Sequence, residues 1–358
     1  MELGSVTDSL RGYKDFGFAY RLVQRTSKAG VKYETRVPEA MPRIPSDFLD
    51  CVCYLYESKA HAEKGSDFGG TAFLVGYPSN ISGKIFIYAV SNWHVAVSGG
   101  ASCLRVNMHD GGTDILEYGP EDWEFDPRFD IAVKRVNLDS TKHKYKVIGT
   151  EGFLTKEKTR DFGVSPGDDV FMVGRFIDHD GGAQNNPALR FGNISLMPSP
   201  MKQPNDMMAD AYCIDLHSRS GYSGSPVMVY RTFGNDLGHI DKPGTVDLLA
   251  AANGRFLMFL GIHFGQFPED WELKEKKSQT KVTPHGVPLI TDGKYVKGLS
   301  GMTCVLPSWV VKKVLERPAL AAERKMIEDR FEEKAKREGR ATPSAEKASP
   351  LSTGENPS

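Results

Sequence analysis

From Phe48 onward the chain is written in short apolar runs, each closed by a turn former. LDCVCYLYES, TAFLVGY, KIFIYAVSN and IAVKRV are rich in β-branched and aromatic residues and are bounded by Gly, Asn, Ser and Asp. Such side chains fit a pleated, half-buried surface, and runs of this length between turn residues read as antiparallel strands. The same texture resumes in GDDVFMVGRF, LRFGNISLM, SPVMVYR, RFLMFLGIHFG and GMTCVLP, after a polar segment near 137–162. With 36 glycines and 21 prolines among 358 residues, turns are frequent throughout. The pattern predicts an all-β protein built as two barrels in one unit, the first over about 46–150 and the second over about 160–310.

The flanks read differently. Residues 1–45 are mixed and polar, with the proline-punctuated VPEAMPRIP, and predict an arm laid over the domain that occupies 46–316. VVKKVLERP is a helical pattern that halts at Pro318. The charged segment over 317–340 has strong helix formers and predicts a helix with a solvated face, or one that docks a partner. Residues 341–358 lack the apolar side chains that folding needs and predict disorder. The formal net charge of −1 gives no basic stripe, so no nucleic acid is expected as a partner. No run of about 18 apolar residues predicts a membrane span. Five cysteines (Cys51, Cys53, Cys103, Cys213 and Cys304) form an odd set with no zinc-type spacing. MELGSVTDSLRGYKDF lacks the apolar core of a signal peptide. Together these predict a reduced, cytoplasmic protein without a bound metal.

Three residues stand out against that background. Ser223 sits in GYSGSP, where Gly221 can take backbone angles other residues avoid and Gly224 lets neighbouring backbone come close. The alternative is a plain β-turn that holds a serine. His94 follows the apolar strand of YAVSNWHVAV, although a lone histidine is more often a structural hydrogen-bonding residue. Asp130, in RFDIAVKRV, abuts a strand, whereas its neighbours Asp126 and Asp122 do not; aspartate is also common at strand boundaries. Nucleophilic attack by serine needs a base, a group that orients the base, and N–H donors for the developing oxyanion. His, Asp and Ser in that chain order, with the serine in the second half, match one known arrangement of those parts.

These segments resemble the trypsin-like serine proteases of the bacterial type, similar to the HtrA and glutamyl endopeptidase branches, over roughly residues 50–316. GGTAFLV, SNWHV, FDIAV, PGDDVFMVGRF, FGNIS, GYSGSPV and LSGMTCVLPSWVVKKVL carry the likeness. The resemblance implies two six-stranded antiparallel β-barrels of chymotrypsin type with a C-terminal helix. It implies Ser223 as nucleophile, His94 as general base and then acid, and Asp130 as the group that orients the imidazole. The N–H groups of Gly221 and Ser223 would form the oxyanion hole, and no cofactor is needed. The chain departs from the secreted animal enzymes at two places. Val95 stands where they have cysteine, and Tyr222 where an aspartate pairs with a newly cut N-terminus. Tyrosine makes no such ion pair, so control by that route is not expected.

GIHFG resembles the pocket strand of glutamyl endopeptidases, which places His263 and Ser218 against the side chain before the cut bond, with His217, Phe264 and Gly265 beside them. That predicts a restricted set of protein or peptide substrates, cut after an acidic residue, although a neutral histidine serves glutamine nearly as well. Two long segments, 231–256 and 267–295, predict loops that flank the cleft. An unrestrained protease would harm its own cell, so an activating or docking partner, or another gate, is expected. The alternative is a catalytically silent protease fold that acts as a binding module.

Overall fold

The computed structural model describes residues 20–26, 32–38, 44, 46–65, 69–81, 83–177, 182–231, 256–272 and 295–338. Within the N-terminal unit, strands β1 (Tyr20–Thr26) and β2 (Lys32–Pro38) pair antiparallel, with Tyr20 opposite Pro38. The expected arm therefore contains a hairpin. The disordered tail expected over 341–358 lies outside the described residues.

In the main unit, β3 (Val52–Tyr56), β4 (Gly70–Pro78), β5 (Ile85–Ser91), β6 (Cys103–Asn107), β7 (Thr113–Leu116), β8 (Glu124–Phe125) and β9 (Ala132–Val136) form one sheet. Their order is β7-β6-β3-β4-β5-β9-β8, and β10 (Ile148–Gly149) adds to β4 in parallel. The short helices α1 (Lys59–Lys64) and α2 (Trp93–Ala96) interrupt it, and α3 (Lys156–Asp161) leads to the second half. There, β11 (Asp169–Gly174), β12 (Ala188–Lys202), β13 (Met208–Asp215), β14 (Pro226–Arg231), β15 (Phe256–Glu272) and β16 (Tyr295–Pro307) close into a barrel in the order β11-β12-β13-β16-β15-β14. Closure removes the unpaired strand edges that an open sheet would expose. The second half thus has the six strands expected. The first is an eight-stranded sheet that forms a half-barrel, because β7, β8 and β10 are short additions to its longer strands.

Why β4 reads as an unbroken apolar run is clear from its two faces. Ala72 and Leu74 enter the core of the first half. Phe73 turns the other way and meets Phe259 of β15 at a ring-centroid distance of 5.2 Å, and Phe153 packs on the same ring at 4.8 Å. An aromatic seam therefore joins the halves, and strands that are buried on both faces lose the alternation of a half-buried strand. Inside the second barrel, Val170, Met172, Ile214, Val229, Leu260 and Val305 form the core.

The second of the two expected loops begins later than its sequence suggested. Phe267–Glu272 and Tyr295 prolong β15 and β16, with Pro268 opposite Leu299 and Glu272 opposite Tyr295. The rest of the second loop, and residues 232–255 of the first, lie outside the described residues.

The C-terminal helices are α4 (Ser308–Leu315) and α5 (Pro318–Arg337). Pro318 ends the first pattern and opens the second helix at a position where its missing N–H costs nothing. α5 is not simply solvated. Buried Arg324 stacks on Tyr77 at 4.1 Å and donates to Tyr88 Oη (3.1 Å) and Leu315 O (2.9 Å). Buried Glu328 accepts from Ser79 Oγ (2.6 Å), Asn80 N (2.8 Å) and Asn80 Nδ2 (2.9 Å). Burial opposes ionisation of Glu328, but the Ser79 and Asn80 bonds outweigh it and hold its carboxyl below the usual range. Charged groups leave water here only because each one finds partners.

Candidate active site

β5 and β9 run antiparallel with Ser91 opposite Ala132, so the segments beyond Ser91 and before Ala132 emerge at the same end of the sheet. That register brings His94, in α2, to Asp130. The His94 backbone N donates to Asp130 Oδ1 (2.8 Å), and His94 Nδ1 lies 2.6 Å from Asp130 Oδ2. A carboxylate cannot donate, so Nδ1 carries the proton and Nε2 presents a lone pair. The Asp130 side chain is fully buried, while that of His94 keeps 27% exposure. Asn92 Nδ2 donates to Asp130 O (2.9 Å) and Gln203 Oε1 accepts from Asp130 N (2.8 Å), which fixes the aspartate backbone from two sides.

Half-buried Ser223 lies in the turn between β13 and β14. Thr71, early in β4, holds that turn: its N–H donates to Ser223 O (2.9 Å) and its Oγ1 to Gly221 O (2.7 Å). Ser91 Oγ donates to Thr71 O (2.7 Å), so the same threonine binds the strand that leads to His94. Gly70 is wedged at the meeting point. A methyl group there would lie 2.8 Å from Val95 Cγ1 and 3.0 Å from Ser223 O. Gly221 has φ +94° and Gly224 φ +86°, in the left-handed region that other residues rarely adopt. Gly224 N donates to His263 O and His263 N to Ser225 O, each at 3.0 Å, which binds the turn to β15. The N–H groups of Gly221 and Ser223 have no acceptor among the described residues.

Of the residues expected to line a pocket, His263 and Ser218 meet. Buried His263 Nε2 lies 2.8 Å from Ser218 Oγ, and its Nδ1 is 3.3 Å from Cys304 O. The carbonyl only accepts, so Nδ1 carries the proton and Nε2 accepts from the Ser218 hydroxyl. Burial pulls the His263 imidazole down to about 4, so the ring is neutral at ordinary pH. Phe264 is buried at an irregularity in the pairing of β15 with β16, and nothing lies within 4 Å of where a Gly265 side chain would project. His217 is exposed and lies over Gly301. Tyr222 is buried in the core of the second barrel, and Arg190 stacks on its ring at 5.5 Å.

Among the described residues, no group of three or more His, Cys, Asp or Glu side chains is placed to hold a metal ion. No described helix is long and apolar enough to cross a membrane. Thr71, Asn92 and Gln203 were not singled out by the sequence. Thr71 lies inside GGTAFLV, which carried the resemblance, but Gln203 sits in an ordinary polar turn with no distinguishing signal.

The half-barrel, the closed six-stranded barrel and the C-terminal helices are consistent with a two-barrel fold of chymotrypsin-like type. No protein-family model matches the chain, and no curated protein sequence matches it. Among solved structures it is similar to the MamO protease domain from Magnetospirillum magneticum, with a TM-score of 0.41, 14% identity, and coverage of 76% of this chain and 98% of that one. It is also similar to a mutant, inactive form of Rv3671c from M. tuberculosis, with a TM-score of 0.38, 17% identity, and coverage of 77% and 89%. A further inactive form of the Rv3671c protease gives 0.34 and 16% identity over 78% of this chain and 98% of that one.

Proposed function

We propose that the chain is a serine endopeptidase that cuts a restricted set of protein substrates through an acyl-enzyme. Ser223 Oγ attacks the scissile carbonyl while His94 Nε2 takes its proton. Asp130 accepts the Nδ1 bond and stabilises the imidazolium that forms. The N–H groups of Gly221 and Ser223 receive the negative charge that develops on the carbonyl oxygen. His94 then returns the proton to the leaving amine, and water attacks the ester by the same route in reverse. The observation that carries this reading is the bond of 2.6 Å between His94 Nδ1 and a fully buried carboxylate, with the serine turn bound to the same corner through Thr71 and Gly70.

At the side chain before the cut bond, the neutral His263–Ser218 pair offers a hydroxyl oxygen as acceptor and no cationic donor. That chemistry favours a carboxamide over the carboxylate of an acidic residue. An activating partner is retained in this reading, because an open serine protease in a cell needs restraint.

Fluorophosphonate labelling tests the proposal. Wild type labels and Ser223→Ala and His94→Ala do not, either directly or after a cell extract supplies the activator. Folded protein that never labels sinks the enzyme account and leaves a silent protease fold that binds other proteins.

A further inference from the structure

We infer that Gln203 is a positioning residue that sets the Asp130 carboxylate against His94, acting from the opposite half of the molecule. The inference rests on the Ser223–His94–Asp130 reading for its link to catalysis. Gln203 opens the turn between β12 and β13 and is 3% exposed. The turn is closed on itself by Gln203 N to Met207 O (2.9 Å) and Asp206 N to Gln203 O (3.0 Å), with Asp206 at φ +64°. Aspartate tolerates the left-handed region better than most residues.

From this base the side chain reaches the mouth of β9. Its Oε1 accepts from Asp130 N (2.8 Å), and its Nε2 donates to Arg128 O (3.0 Å) and Met207 O (3.2 Å). Asn205 adds a parallel contact, Nδ2 to Pro127 O (3.1 Å). The segment 127–130 therefore presents a donor and two acceptors, and the turn answers with two amides of matching polarity.

Only a carboxamide of this length satisfies both sides. Glutamate would keep the Asp130 bond but lose both donations, and would set a second negative charge beside the first. Methionine would fill the volume and strand a buried N–H and carbonyl, which costs the full desolvation of each. The consequence reaches the site because Asp130 is held at both ends of its residue, by Gln203 at its N–H and by Asn92 at its carbonyl. Release of one end lets the carboxylate swing away from the imidazole. A displacement of about 1 Å at such a group is worth about 100-fold in rate.

The test uses the full chain and two readouts. The first is the low-field proton resonance of the His94 Nδ1–H, measured in a Ser223→Ala background so that turnover is irrelevant. The second is fluorophosphonate labelling with Ser223 intact, with the limiting rate separated from half-saturation. Gln203→Met is expected to shift or broaden the resonance and to lower the limiting rate about tenfold or more, at unchanged half-saturation. Lys202→Ala, which alters an exposed side chain of the same turn, is expected to change neither. If Gln203→Met does not fold, Gln203→Asn carries the same measurements, since it keeps a carboxamide but is one methylene too short to reach Asp130 N. A folded variant whose resonance matches wild type overturns the inference. Should the resonance respond in a wild type that never labels, the positioning role stands and the endopeptidase reading fails.

Discussion

His94 and His263 are each bound at Nδ1 and differ in almost everything else. His94, beyond the end of β5 in the first sheet, donates its Nδ1–H to a carboxylate and keeps partial access to solvent. His263, in the closed barrel, gives its proton to the Cys304 carbonyl and spends Nε2 on Ser218. A carboxylate stabilises the doubly protonated ring, while a buried carbonyl merely selects a tautomer. One imidazole can therefore carry a proton through a reaction cycle, and the other is a fixed neutral acceptor. The difference lies in the partner and the burial, not in the ring.

The strongest way to break that contrast is to remove the carboxylate. Asp130→Asn keeps the shape but, on the proposed mechanism, is expected to lower the labelling rate about 10⁴-fold, as loss of the orienting group does in Ser-His-Asp triads. Activity near wild type in a folded Asp130→Asn protein would mean that His94 works without it. The next effect is on stability. His263 has its basicity depressed by burial, so its contribution is fully present above about 6.5, falls as pH drops, and is gone below about 4. Denaturant titrations should show a loss of roughly 3 kcal/mol across that window, and His263→Phe should flatten it. An unchanged slope in the variant would show that the ring is not held neutral.

A third comparison concerns selectivity. Ser218→Ala removes the hydroxyl from the proposed pocket and is expected to reduce discrimination among residues before the cut bond by about 10–100-fold, read from a peptide library. If the strongest cleavage follows Arg, Lys or Leu in wild type, the polar pocket is misassigned. The smallest effect lies in the first half. Glu328→Gln should cost about 1 kcal/mol by weakening the bonds from Ser79 and Asn80, with the peptide preference unchanged. A changed preference would mean that α5 communicates with the pocket.

How much of this was readable before the fold was known depends on what each residue does locally. The strands were readable, because runs such as AFLV and VFMV are apolar at every position and buried throughout. His94, Asp130 and Ser223 could be picked out because each sits at a strand end or in a glycine-rich turn. Their company was not readable: Gln203, Thr71 and Asn92 act through contacts that span long stretches of chain, and their residue types are common in any turn. The docking of α5 was missed for a related reason. A helix dense in Arg and Glu looks solvated until Tyr77, Tyr88 and Asn80 are placed opposite it. The long segment from Phe267 misled by composition, since Pro268–Glu272 is mostly polar and still pairs with β16 as the end of β15.

The turn around Ser223 carries a consequence for how descendants of this protein can drift. A methyl group on Gly224 would fall 2.1 Å from Thr71 O, and one on Gly221 would fall 2.7 Å from Arg175 O. Those two sites are closed to replacement by sterics alone, whatever selection does to the chemistry. Positions 94 and 130 have no such geometric lock. If the proposed hydrolysis is what selection maintains, a lineage that gave it up would shed its imidazole and its acid while retaining both glycines, so relaxed selection would leave a signature at two columns and silence at the other two.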